Sequence, residues 1–129
     1  MKIHEIVAPG FNPRPWLAGK CFDFALALHE RMPDAEFVVI RSWIGKQLVA
    51  NHVALRRGDV YYDARGAIPD ARSFLAYHTD VWDGASAELI EPISREDVER
   101  HAGVAGVPPP YKGNRYIAAA RQAVAAVYG

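Results

Sequence analysis

The chain has 129 residues, half of them hydrophobic and 23% charged, with fifteen basic residues against fifteen acidic ones. This length fits one domain that hides roughly two-thirds of its unfolded surface, and the composition excludes wholesale disorder. Neutrality argues against a dedicated nucleic-acid binder, and a single cysteine, Cys21, excludes an internal disulfide or a multi-cysteine zinc site.

Met1 to Val7 alternates charged and apolar residues and has no apolar core of a signal peptide. No run approaches the ~18 consecutive apolar residues of a membrane span. The expectation is a soluble protein without a membrane partner, cytoplasmic by default, with signal-less delivery into another cell as the alternative.

Pro9 to Trp16 carries three prolines. Proline fixes φ and removes backbone donors, so the segment reads as extended, neither helix nor central strand. It either borders a cleft or simply straps the helix that follows. From Gly19 to Met32, Cys21, Phe24, Ala25 and Leu28 recur at helical spacing, and Pro33 stops the run. The reading is a helix with Cys21 in its first turn.

Glu36 to Arg41 is short and β-branched, which predicts a buried strand. Gln47 to Arg56 and Asp59 to Ala64 read as two more strands joined by Arg57-Gly58. Pro69 to Tyr77 predicts a short helix with Phe74 and Leu75 inward, and Ala87 to Ile90 an edge strand ended by Pro92. Ser94 is a helix N-cap with acids following, and that helix reaches about His101. Gly103 to Gly113 is a Gly/Pro-rich connection. From Asn114 an Ala-rich helix places Ile117, Ala120, Val124 and Val127 on one stripe. A docked closing helix is the first reading of that stripe, and a dimer contact the second. The order predicts one α+β domain over residues 1–129, an N-terminal helix on a small antiparallel sheet with peripheral helices.

The hairpin carries the chemistry. With Arg57-Gly58 as a two-residue turn, His52 lies opposite Asp63, with Cβ atoms about 4.5–5.5 Å apart. Val53, Leu55, Val60 and Tyr62 then form the apolar face. The other face, with His52, Ala54, Arg56, Asp59, Tyr61 and Asp63, reads as polar and open. A glycine-bulge turn would shift this register by one. A carboxylate beside an imidazole fixes its tautomer and favours the protonated ring, the orienting role in a nucleophile–base–orienter set. At a helix start, free N–H groups favour a thiolate and offer an oxyanion site. A helix packed over the sheet lets Cys21 reach His52.

The Gly-x-Cys helix start, the His-Val-x-Leu strand and the Tyr-Tyr-Asp-Ala-Arg-Gly strand end resemble papain-like and transglutaminase-like cysteine enzymes. The resemblance covers about Gly19 to Gly66 and implies Cys21 as nucleophile, His52 as base and Asp63 as orienter, on a papain-like core. The chain has no glutamine just before the cysteine; Trp16 stands near it instead, which resembles the transglutaminase habit of a tryptophan near the oxyanion. Trp16, Lys20 and Tyr61 are the candidate substrate or oxyanion residues.

His78, Asp80, Asp83 and His101 match no zinc spacing and read as surface-loop residues, so no metal is expected. Nothing marks a cofactor site, and there is no glycine-rich phosphate loop. The resulting expectation is a cysteine hydrolase of peptidase, amidase or deamidase type, acting on a protein or peptide as a monomer or weak dimer. Acyl transfer on the same residues, and a non-catalytic binding or inhibitor module, are the alternatives.

Overall fold

The computed structural model describes residues 11–17, 19–81, 86–102 and 116–129. The expectations for Met1 to Val7, for Gly103 to Gly113 and for Asp83 lie outside these residues. Within them the chain is α+β, built on one five-stranded antiparallel sheet.

The first departure from the sequence reading is local. Arg14–Trp16 forms a 3-10 turn, not extended chain, closed by Trp16 N–H to the Pro13 carbonyl and Leu17 N–H to that of Arg14. Prolines are compatible with this because their φ suits a 3-10 turn and no donor is needed at its start. Gly19, at φ +113°, then redirects the chain in a conformation that suits glycine.

Helix α1 follows, Cys21–His29, with Cys21 as its first residue. It ends earlier than the sequence pattern suggests. The Arg31 and Met32 N–H groups both donate to the Leu28 carbonyl, and Pro33 prevents continuation. Seven of its nine residues are buried, Cys21, Asp23 and Phe24 through Leu28. A helix apolar on nearly every side belongs inside the fold. It packs between the sheet and two later helices.

Strands β1 (Glu36–Ile44) and β2 (Gln47–Arg57) form a long hairpin. Beyond β2 lie β3 (Val60–Asp63) and β4 (Gly66–Ile68), a short hairpin that the sequence reading did not anticipate. Helix α2 (Ala71–Val81) crosses to β5 (Ser86–Pro92), which pairs with β1, giving the order β4-β3-β2-β1-β5. Asp70, not Pro69, caps α2: its carboxylate accepts from the Ser73 N–H at 2.7 Å. His78 and Asp80, expected in a loop, belong to this helix. Ser94 caps α3 (Arg95–His101) as its sequence implies, accepting from the Asp97 N–H at 3.1 Å. Helix α4 (Ile117–Tyr128) buries Ala120, Ala123 and Val124 against α1.

The β2–β3 turn is Gly58-Asp59, so the pairs are Arg57 with Val60, Arg56 with Tyr61 and Leu55 with Tyr62. The expected Arg57-Gly58 turn is corrected by backbone strain: the φ of +63° falls on Gly58 and the arginine stays in the strand. Each pair moves by two residues relative to the expected register, so side-chain parity survives. Asp63 faces the same side as Ala54 and His52, a diagonal neighbour of the histidine instead of its direct partner.

That side is not open. Val38, Ile40, Ala54, Tyr61, Ile68 and Phe74 form a second core beneath α2, separate from the larger core between sheet, α1, α3 and α4. The polar appearance came from Arg56 and Asp59 at the hairpin tip. Further along, β1 and β4 contribute apolar neighbours that the hairpin alone does not reveal. Phe74 is fully buried and stacks on Tyr61 at 4.5 Å between ring centroids. Phe74→Ala therefore lowers the unfolding free energy by about 3–5 kcal/mol in urea denaturation. A change within about 0.5 kcal/mol, the surface-site range, contradicts this second core.

Candidate functional site

Three local features bring the predicted residues together. The 3-10 turn and Gly19 start α1 at Cys21, which fixes the thiol at the helix tip. A β-bulge interrupts β1–β2 pairing: Ile40 pairs with His52 and Arg41 with Ala50, so Asn51 is the extra residue beside the histidine. Strand β3 leaves β2 after Leu55 and turns at Asp63 into β4. His52 thus sits where the two strands part, and the β3–β4 turn residue Ala64 shares the main core with Cys21.

His52 is fully buried and Asp63 is 2% exposed. The His52 Nε2–H donates to Asp63 Oδ2 at 2.9 Å. The Cys21 side chain, 3% exposed, lies close enough to influence the charge on the imidazole. Imidazole and carboxylate are in direct contact, and the thiol at the tip of α1 acts on the charge of the ring.

Electrostatics follow from burial and partners. Burial pulls the His52 pKa down, but the hydrogen bond to Asp63 and the influence of the Asp63 and Cys21 side chains outweigh it and push it up to about 9. Burial acts to raise Asp63; the Arg65 charge and the His52 hydrogen bond overcome it and hold the carboxyl well below its ordinary range. The raised histidine stabilises the fold fully below pH 6.5 and loses that contribution as pH rises through about 9. The depressed aspartate contributes above pH 3.8 and loses its share as acid reaches its lowered pKa.

Two residues that the sequence reading missed complete the site. Arg65, 3% exposed, reaches Asp63 with its main-chain N–H and its guanidinium, the shortest side-chain contact being Nη2 to Oδ2 at 2.7 Å. Tyr128, in the last turn of α4, donates its hydroxyl to the Asp63 main-chain carbonyl at 2.6 Å. The Asp-Ala-Arg-Gly run held the arginine in plain view, two residues from the acid at a tight turn. The tyrosine had no local signal, because 65 residues separate it from Asp63.

The three outlying candidates fall differently. The Trp16 N–H is taken by Pro13 and the Lys20 N–H by the Pro15 carbonyl at 3.3 Å, so neither main-chain group points at an oxyanion. The Lys20 ammonium lies 5.7 Å from the Trp16 ring centroid and 4.4 Å from that of Tyr116, beside the helix start. Tyr61 is core: it is 5% exposed and its ring stacks on Phe74. The Cys21 N–H, first in its helix, has no intrahelical acceptor. Among the described residues no group of three or more His, Cys, Asp or Glu side chains is arranged to hold a metal, and no helix is long and apolar enough to cross a membrane.

No protein-family model matches the chain, and neither does any curated protein or solved structure.

By NMR, the His52 ring is expected to titrate near pH 9. Asp63→Asn lowers that value, because it removes the buried anion hydrogen-bonded to the ring. Titration of wild-type His52 at the ordinary 6.5 contradicts the site electrostatics.

Proposed function

We propose that the chain is a cysteine-nucleophile enzyme acting on amide, ester or thioester carbonyls, with hydrolysis as its default outcome. The observation that supports this reading is the buried His52–Asp63 hydrogen bond, with the Cys21 thiol at the tip of α1 near enough to influence the imidazole's charge. A nucleophile, its base and the base's orienter in series are what acyl transfer requires.

In the first half-reaction Cys21 reacts as the thiolate, its proton already held by His52, and Sγ bonds to the carbonyl carbon. The oxyanion forms beside the Cys21 N–H at the positive end of α1. Collapse breaks the carbon–leaving-group bond, and His52 gives its proton to the departing amine, alkoxide or thiolate. In the second half-reaction His52 takes a proton from water, whose oxygen attacks the thioester. Acid is released and the thiol is restored. An amine in place of water gives acyl transfer with the same residues. Asp63 stays ionised throughout and stabilises the imidazolium.

A papain-like or transglutaminase-like core fits the chain order of helix, histidine strand and aspartate strand, and a protein or peptide is the proposed substrate. A free thiol suits a reducing, cytoplasmic setting. The near-complete burial of Cys21 and His52 favours a second reading, a non-catalytic module in which the same network is a structural tie.

Incubation with a small activated ester followed by intact-mass analysis separates the two readings. The enzyme reading expects one acyl adduct, absent in Cys21→Ser, with formation slowed about 10²-fold or more in His52→Gln. An unmodified wild-type mass, or an adduct that forms at the same rate in His52→Gln, supports the structural tie instead.

A further inference from the structure

We infer that Arg65 is a positioning residue for this reaction, whose guanidinium fork and main-chain N–H fix the Asp63 carboxylate in the orientation that meets His52. The inference rests on the cysteine-nucleophile reading and adds to it a residue that reading does not require.

A carboxylate at a tight turn has two torsions, and one hydrogen bond to an imidazole leaves both under-determined. Asp63 is held at each oxygen. Oδ1 accepts from the Arg65 main-chain N–H at 2.8 Å and from Nε at 3.1 Å. Oδ2 accepts from Nε at 3.1 Å, from Nη2 at 2.7 Å and from His52 Nε2 at 2.9 Å. The guanidinium plane matches the carboxylate plane in a way that a single ammonium cannot.

Arg65 is itself seated. Its Cζ lies 5.5 Å from the centroid of the Phe74 ring, and Nη2 reaches the Phe74 carbonyl at 3.5 Å. Phe74 also stands 5.7 Å from the His52 ring, centroid to centroid. Helix α2 therefore fixes the arginine, the arginine fixes the aspartate, and the aspartate fixes the histidine that serves Cys21. An arginine that merely neutralised a buried charge would act on stability alone. A positioning arginine acts on the His52–Asp63 hydrogen bond.

The test uses the full chain as Arg65→Gln and Arg65→Lys, with Asp63→Asn and His52→Gln as references. Two readouts are recorded, the NMR resonance of the His52 Nε2–H proton and the rate of Cys21 alkylation by iodoacetamide. In both Arg65 variants the resonance is expected to move upfield or disappear, with alkylation slowed about tenfold or more. Folded variants that keep the wild-type resonance and rate overturn the inference. Should Arg65→Gln fail to fold, Arg65→Lys decides alone, since it keeps the charge and loses only the fork. The two failures are distinct. Wild-type rates in the Arg65 variants beside slowed Asp63→Asn remove Arg65 from the mechanism. Wild-type rates in Asp63→Asn and His52→Gln remove the catalytic reading itself.

Discussion

The hydrogen bond between His52 and Asp63 is made where water does not reach, and that placement governs the architecture around it. An ionised carboxylate and an imidazolium in the interior are each costly to desolvate, and their mutual attraction repays this only with good geometry and further hydrogen bonds. The protein supplies those from three directions. Arg65 brings a second positive charge from the β3–β4 turn, Tyr128 ties the Asp63 backbone to the C-terminal helix, and Cys21 approaches the ring from α1. Elements at opposite ends of the chain therefore converge on one polar chain of atoms. The hydrophobic cores on either side of the sheet hold it in place.

This arrangement gives α2 a role that its modest size does not suggest. Phe74 covers the sheet face that carries His52, stacks on Tyr61 and supports Arg65. The helix closes the second core around the imidazole, whose pKa its partners raise against the opposing effect of burial. Packing and site electrostatics are the same set of contacts viewed in two ways.

Much of this was legible in the sequence because it rests on local chemistry. Ser94 caps α3, and Cys21 falls at a helix start because the glycine and prolines before it set the boundary. Strand parity placed His52 and Asp63 on one face, and it did so despite an error in the turn, because a two-residue change of pairing leaves parity intact. What escaped was non-local. The burial of the His52 face depends on Val38 and Ile40 from β1, Ile68 from β4 and Phe74 from α2, none of which the hairpin pattern contains. The bulge at Asn51 has no residue signature of its own. Arg65 resembled an ordinary turn residue until its side chain was seen folded back on the acid two positions earlier. Trp16 and Lys20 were drawn toward the oxyanion by proximity in sequence, whereas the 3-10 turn directs their N–H groups to prolyl-segment carbonyls.

The central claim is that the Cys21 thiol and the His52 imidazole act as one chemical unit. The rate of iodoacetamide alkylation of Cys21 at neutral pH, compared between the wild-type chain and folded His52→Gln, addresses that claim most directly. A functional unit predicts a rate about tenfold or more lower in the variant, since the nucleophile has lost its base. Equal rates in the two proteins contradict it, and leave the buried histidine as a tie within the fold.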